Sequence, residues 1–150
     1  MQRKIDMQKM LFAVAMTLSS VTVHAQLDPP APFHLARLHG VYVGAKGDPI
    51  QGAQVTLQQN DKVVYATKTD AAGRFAFRHV SGHFWLHVNA KGYAQLDREV
   101  IVGLEALTYL RTDTLYVIAG PGACSDDCCT VFRSRSKFDE AIRRNKEHQY

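Results

Sequence analysis

The clearest pattern in the chain is the alternation of apolar and polar residues between positions 67 and 93. Two runs alternate with a period of two, which places one set of side chains on each face of a β-strand. Residues 70–73, which include Asp and Gly, favour a turn before the first run. The Ser-Gly pair at 81–82 favours a turn before the second. The pattern therefore predicts two adjacent antiparallel strands with one face in the core. The core-facing residues of this prediction are Phe75, Phe77, Phe84, Leu86 and Val88.

Similar short apolar runs lie on both sides of this stretch. They predict further strands over residues 35–43, 53–59, 62–69, 95–102 and 107–118. With the two central strands this makes a set of seven. Short strands separated by turns, in this number, are typical of an all-β, two-sheet antiparallel sandwich.

The last stretch, residues 136–149, has a helical period instead. Phe138, Ala141 and Ile142 form a narrow apolar stripe, and Ser136 is the predicted N-cap. Two alternatives stay open at this point. The helix docks on the sandwich through its stripe, or the segment is a partly disordered basic tail, since a free helix this short is marginally stable.

A series of motifs falls in a characteristic order between His39 and Val102. They are Gly-Val-Tyr at 40–42, GDPIQGAQVTL at 47–57, TDAAGRFAF at 69–77, Val80, Gly82, and Lys-Gly-Tyr at 91–93. With these motifs the chain resembles the carboxypeptidase regulatory-like domain, a small transthyretin-like β-sandwich. The resemblance implies a seven-stranded Greek-key sandwich and a non-catalytic module. It supplies no catalytic, cofactor-binding or metal-binding residues.

The N-terminus has the layout of a signal peptide. Three basic residues precede an apolar stretch from Met10 to Val23, and small or short residues lead up to Ala25. This layout predicts cleavage after Ala25 and export to the periplasm or the extracellular space. The alternative is an uncleaved membrane anchor, which is disfavoured because the apolar stretch is short and contains several Ser and Thr residues.

Four segments follow from these patterns. Residues 1–25 are the predicted signal peptide, 26–34 a Pro-rich linker, 35–118 the sandwich, and 119–150 a Cys-containing loop with the C-terminal helix.

The formal net charge is +4, and removal of residues 1–25 would lower it to about +2. Such a weak positive charge gives no reason to expect a nucleic-acid partner. No later stretch is apolar enough for membrane insertion after cleavage.

All three cysteines lie in the short segment CSDDCC, at Cys124, Cys128 and Cys129. In an oxidising compartment thiols tend to pair, and an odd number leaves one free. We expect a disulfide from Cys124 to either Cys128 or Cys129, because a bond between the adjacent cysteines would strain the backbone. The alternative is a metal or redox site that includes Asp126 or Asp127, although the segment lacks zinc-finger spacing.

His83, Trp85 and His87 alternate with the core-facing residues of the second central run and should share the outer face. His83 and His87 would lie about 13 Å apart along one strand, too far to bind a single metal ion without ligands from a neighbouring strand. An exposed Trp between histidines suits a protein partner or a sugar ring. The alternative is that the C-terminal helix or a loop covers this face.

No motif of a known catalytic site appears in the chain. The transthyretin-like fold includes hydroxyisourate hydrolases, whose chains end in Tyr-Arg-Gly-Ser, whereas this chain ends Glu147-His148-Gln149-Tyr150. We therefore expect no enzyme and no cofactor. The main expectation is an exported module that binds a protein or glycan at the cell envelope. A structural domain that forms a homo-oligomer is the alternative, and a metal-binding function of the cysteine segment is a weaker one.

Overall fold

The computed structural model describes residues 30–103, 114–122 and 128–148. The predicted signal peptide and the first four residues of the linker, 26–29, lie outside these residues. Cys124, Asp126 and Asp127 lie outside them as well, as does most of the strand predicted over 107–118. The cleavage site and the first part of the cysteine segment therefore stay predictions.

The described residues form nine strands and one helix, in the order of the chain. They are β1 (Phe33–Leu35), β2 (Leu38–Gly44), β3 (Gln54–Gln59), β4 (Lys62–Lys68), β5 (Arg74–Phe77), β6 (Gly82–Asn89), β7 (Leu96–Val102), β8 (Leu115–Ala119), β9 (Cys129–Phe132) and α1 (Arg135–Glu147). The all-β class with a short C-terminal helix is confirmed.

The strands form two sheets, as predicted for a sandwich. A five-stranded sheet has the order β1-β7-β6-β3-β4, and a four-stranded sheet has the order β5-β2-β8-β9. The purely antiparallel arrangement is wrong, because β1 pairs in parallel with β7 and β2 pairs in parallel with β8. Alternation within a strand carries no information about the direction of its neighbour, which is why the sequence did not predict these pairs. The Greek-key description stays a prediction.

The two central strands are not neighbours, which corrects the first prediction. β5 pairs with β2 in the four-stranded sheet, whereas β6 pairs with β3 and β7 in the five-stranded sheet. The short connection between them crosses from one sheet to the other and contains His79 at a φ of 55°. Such a backbone is uncommon for a residue other than Gly. The alternation correctly predicted which face is buried, but not which strand lies alongside.

Two of the nine strands were not predicted. β1 begins inside the segment predicted as a linker, and β9 lies in the segment predicted as a loop. Each is too short for a period of two to stand out. β1 is stabilised by pairing with β7, and β9 by pairing with β8. Seven strands is therefore an undercount for the described residues.

The core lies between the two sheets. Four of the five predicted core residues, Phe75, Phe84, Leu86 and Val88, are buried, and Phe77 is half-buried. The buried Tyr42 hydroxyl donates a hydrogen bond to the Ala94 carbonyl oxygen at 2.8 Å. Burial raises the pKa of Tyr42 well above its ordinary value, so this hydroxyl remains a donor.

The turn at residues 70–73 connects β4 in one sheet to β5 in the other. The Asp70 carboxylate accepts backbone hydrogen bonds from Ala72 at 2.9 Å and from Arg74 at 2.8 Å. These bonds, that from Arg74 first, lower the pKa of Asp70. Gly73 has a φ of 71°, and a Cβ there would lie 2.4 Å from the Tyr42 carbonyl oxygen. Both positive φ and close packing therefore require Gly at this position.

Helix α1 docks on the outer face of the four-stranded sheet. Phe138 is buried against Val43 and Ile118, while Ala141 and Ile142 are half-buried beside it. This decides between the two predicted alternatives in favour of the docked helix. The predicted cap is wrong, because the N-cap is Ser134 and makes no side-chain capping bond. The described part of the chain contains no helix long and apolar enough to span a membrane.

Candidate binding surface

Strand β6 presents His83, Trp85 and His87 on the outer face of the five-stranded sheet. This orientation follows from the burial of Phe84, Leu86 and Val88 on the opposite face of the same strand. The Trp85 side chain is 49% exposed, His83 is exposed and His87 is half-buried. The predicted outer face is therefore present, and we refer to these three residues as the Trp85 surface.

Two carboxylates of the neighbouring strand β7 contact the histidines. Glu99 lies beside Trp85 in the strand register, and its Oε1 lies 2.5 Å from His83 Nε2. Asp97 lies beside His87 and contacts its Nδ1. Each contact becomes an ion pair when its imidazole is protonated. The structure thus adds two acidic residues to the surface.

A further polar side chain holds the Asp97 carboxylate in place. Gln95 Nε2 donates to both oxygens of Asp97, at 2.8 and 3.0 Å. Sequence analysis did not select Gln95, Asp97 or Glu99 for the site. The alternation within the strand predicted over 95–102 would have placed all three on the outer face, but it does not show that this strand lies next to β6.

The other side of the Trp85 surface is lined by β3 and the edge strand β4. Gln58 lies opposite Trp85 in the register, and Val63 of β4 lies beyond it. Val63 is 56% exposed, whereas Tyr65 pairs with the buried Leu57 and its ring contacts Phe84 on the inner face. The surface therefore changes from polar and ionisable near β7 to apolar at the β4 edge.

The predicted alternative of a helix over this surface is wrong. α1 packs on β8 and β9 of the other sheet, with Phe138 directed at Val43 and Ile118. The Trp85 ring remains about half exposed, which leaves its face accessible to a ligand. An accessible aromatic ring surrounded by hydrogen-bonding groups can stack on a sugar ring or fill a pocket in a protein partner.

The described cysteines occupy different environments. Cys129 is buried, and its Sγ donates to the Ala94 carbonyl oxygen at 3.3 Å, the same oxygen that Tyr42 contacts. Cys128 is half-buried, and its predicted partner Cys124 lies outside the described residues. Within the described ranges, no group of three or more His, Cys, Asp or Glu side chains is arranged to hold a metal ion.

Two packed sheets with a short C-terminal helix define a β-sandwich domain. A family model described as the carboxypeptidase regulatory-like domain matches residues 37–112, which is more than half of the chain. The protein therefore belongs to the carboxypeptidase regulatory-like domain family, as the motif order predicted. The matched span begins after β1 and ends before β8, so the last two strands and α1 lie outside it. A search of curated proteins found no match to the chain.

Proposed function

We propose that the protein is an exported, non-catalytic module that binds a protein or glycan at the cell envelope through the Trp85 surface. The observation that carries this proposal is the half-exposed Trp85 ring between two histidine–carboxylate pairs. A soluble domain gains nothing in stability by exposing a large aromatic side chain, whereas a binding site uses its face directly.

The polar surroundings of Trp85 favour a glycan over an apolar protein surface. The imidazole and carboxylate groups at positions 83, 87, 97 and 99 offer donors and acceptors on both sides of the ring. Sugar hydroxyls need such partners, since a polar group buried on binding without a hydrogen bond costs free energy. An apolar protein partner would bury these histidine–carboxylate pairs without offering them any further hydrogen bond.

The family supports the non-catalytic part of the proposal. The matched family is a regulatory-like domain, and the Trp85 surface contains no Ser or Cys nucleophile beside its histidines. The histidine–carboxylate pairs are therefore interpreted as ligand-orienting groups. A protein that turned over an envelope glycan, measured by release of reducing ends, would contradict this part.

Export is the second part of the proposal, supported by the signal-peptide layout of residues 1–25. Mass spectrometry of the protein from its producing cell should show a chain that begins at Gln26. An exported chain that still begins at Met1 would contradict the cleavage.

We also infer that Cys124 and Cys128 form the disulfide of the exported chain. Two observations support this pairing: Cys128 is disulfide-bonded, and Cys129 is buried with its Sγ against the Ala94 carbonyl oxygen. Thiol counting on the oxidised, unfolded protein should give one reactive thiol per monomer. Three reactive thiols would contradict the bridge and would favour the metal-binding alternative.

Fluorescence provides a direct test of the binding surface, because the chain contains a single Trp. Titration with soluble peptidoglycan fragments and with lipopolysaccharide-derived oligosaccharides should change the Trp85 emission in a saturable manner. Calorimetry should show that Trp85→Ala weakens binding about 5- to 150-fold, since loss of one stacked ring costs about 1–3 kcal/mol in comparable sites. The matched control is Tyr93→Ala, an exposed aromatic away from this surface. Equal binding by both variants would contradict the proposed site.

A second candidate function, assembly of a homo-oligomer, is favoured by the β4 edge. Val63, Val64 and Tyr65 are exposed on a strand with one unpaired edge. Such an edge can pair with a second copy, although the lysines at both ends of β4 disfavour pairing. Light scattering should show a dimer that Val64→Lys converts to a monomer, with Lys46→Gln as control. A monomeric wild-type protein would exclude this function.

A further inference from the structure

An open groove lies at one end of the four-stranded sheet, away from the Trp85 surface. It has a volume of about 510 Å³ and lies where β2 begins and β5 ends. Arg37, Arg78, His39 and His79 contribute its cationic or protonatable groups, and Leu38 and Phe77 contribute apolar side chains. We refer to it as the Arg37–Arg78 groove. No carboxylate is among the described residues that line it.

The strand register places the two arginines at the same end of the four-stranded sheet. Leu38 of β2 pairs with Phe77 of β5 in the last pair of the antiparallel ladder, Arg37 directly precedes β2 and Arg78 directly follows β5. Both Arg37 and Arg78 are exposed and line the groove. This end of the sheet is therefore cationic.

Several other surface arginines of the described chain have acidic partners. Arg74 contacts Asp70, Arg135 contacts Asp139, and Arg143 contacts Glu147. Neither Arg37 nor Arg78 forms an ion pair with any described carboxylate. Their guanidinium groups are therefore available to an external anion.

His79 adds a strained backbone to the same groove. Its φ of 55° lies in the left-handed region, which costs free energy for a residue with a side chain. His79 directly follows Arg78, in the connection between β5 of one sheet and β6 of the other.

We propose that the Arg37–Arg78 groove binds an oxyanion, a carboxylate or phosphate group, attached to a small apolar molecule. The two guanidinium groups provide planar pairs of donors that match the oxygen geometry of either anion. The half-buried Phe77 and the exposed Ala76 then offer apolar contacts to the rest of the ligand. This site is independent of the Trp85 surface, which lies on the other sheet.

Nuclear magnetic resonance provides the test, with phenyl phosphate, benzoate and inorganic phosphate as probes at constant ionic strength. Saturable shifts should appear at Arg37, Arg78 and His79 in the wild-type protein. Of the two aromatic probes, the tighter one identifies the preferred anion. Equal affinity for inorganic phosphate and phenyl phosphate would overturn the apolar part of the proposal. The absence of saturable shifts with all three probes would overturn the whole of it.

Variants separate a specific site from general attraction to a basic protein. Arg37→Gln and Arg78→Gln should each raise the dissociation constant about tenfold or more, the change expected on loss of one charge-assisted hydrogen bond. Arg78→Lys retains the charge but loses the paired donors, and should also weaken binding. The control Lys91→Gln removes one exposed charge outside the groove. Equal weakening by Lys91→Gln and Arg78→Gln would overturn the proposed site.

Discussion

The outer faces of the two sheets differ in their exposure to solvent. On the four-stranded sheet, Val43 and Ile118 face outward and are covered by Phe138 of α1. On the five-stranded sheet, the corresponding positions of β6 carry His83, Trp85 and His87, which remain uncovered. Both sheets use the same inner core. The difference between their outer faces shows which face supports the fold and which is available for binding.

Residue type explains this difference. β2 and β8 are apolar on both faces over part of their length, so they need a second layer to exclude water. In β6, buried apolar residues alternate strictly with residues that can face solvent. The helix therefore packs on the sheet that exposes more apolar area without it, and the Trp85 surface stays open.

The largest expected loss of stability follows from a substitution on the inner face of β6. Phe84→Ala should lower the free energy of unfolding by about 3–5 kcal/mol, because a buried ring leaves a cavity between the sheets. Trp85→Ala, at the adjacent outward position, should change it far less. Urea denaturation measures both. Equal losses would mean that the two faces of β6 are reversed.

The next effect tests the covered face of the other sheet. Phe138→Ala should lower the free energy of unfolding by about 2–3 kcal/mol. The variant leaves a cavity under the helix and exposes Val43 and Ile118 to water. Lys137→Ala, an exposed neighbour on α1, is the matched control and should be nearly neutral. If both variants melt at the wild-type temperature, the helix does not stabilise the sheet.

A smaller effect is expected at the turn that crosses between the sheets. Gly73→Val should cost at least about 1–2 kcal/mol, because it combines a positive φ with a Cβ close to the Tyr42 carbonyl. Ala72→Val, one residue earlier and exposed, is the control. Chemical denaturation of the two variants should therefore give different midpoints, and identical midpoints would contradict the turn geometry.

The smallest expected effect is a pH dependence of the folding stability, caused by Asp70 in the same turn. The pKa of Asp70 is lower in the folded protein than in the unfolded chain, so its hydrogen bonds contribute stability above the unfolded pKa. That contribution is lost as the pH falls through the lowered, folded pKa. Asp70→Asn should reduce the loss of stability on acidification, measured by thermal melts between neutral and acidic pH. An unchanged pH profile would contradict the role of this carboxylate.

Local patterns in the sequence determined much of the fold. The period of two in residues 74–89 identified the buried face, and Asp70 with Gly73 identified a turn whose backbone needs Gly. The motif order identified the family. These features depend on the conformation of a few consecutive residues, so a single sequence is enough to predict them.

The tertiary structure alone decided which strands and side chains come together. β5 and β6 belong to different sheets, and the acidic residues of β7 reach the histidines of β6 only because those two strands pair. The docking of α1 on one sheet and the placement of Arg37 and Arg78 at the same end of that sheet likewise depend on distant segments. Periodicity sets the orientation of a side chain, whereas its neighbours are set by long-range pairing and by burial of apolar area across the whole core.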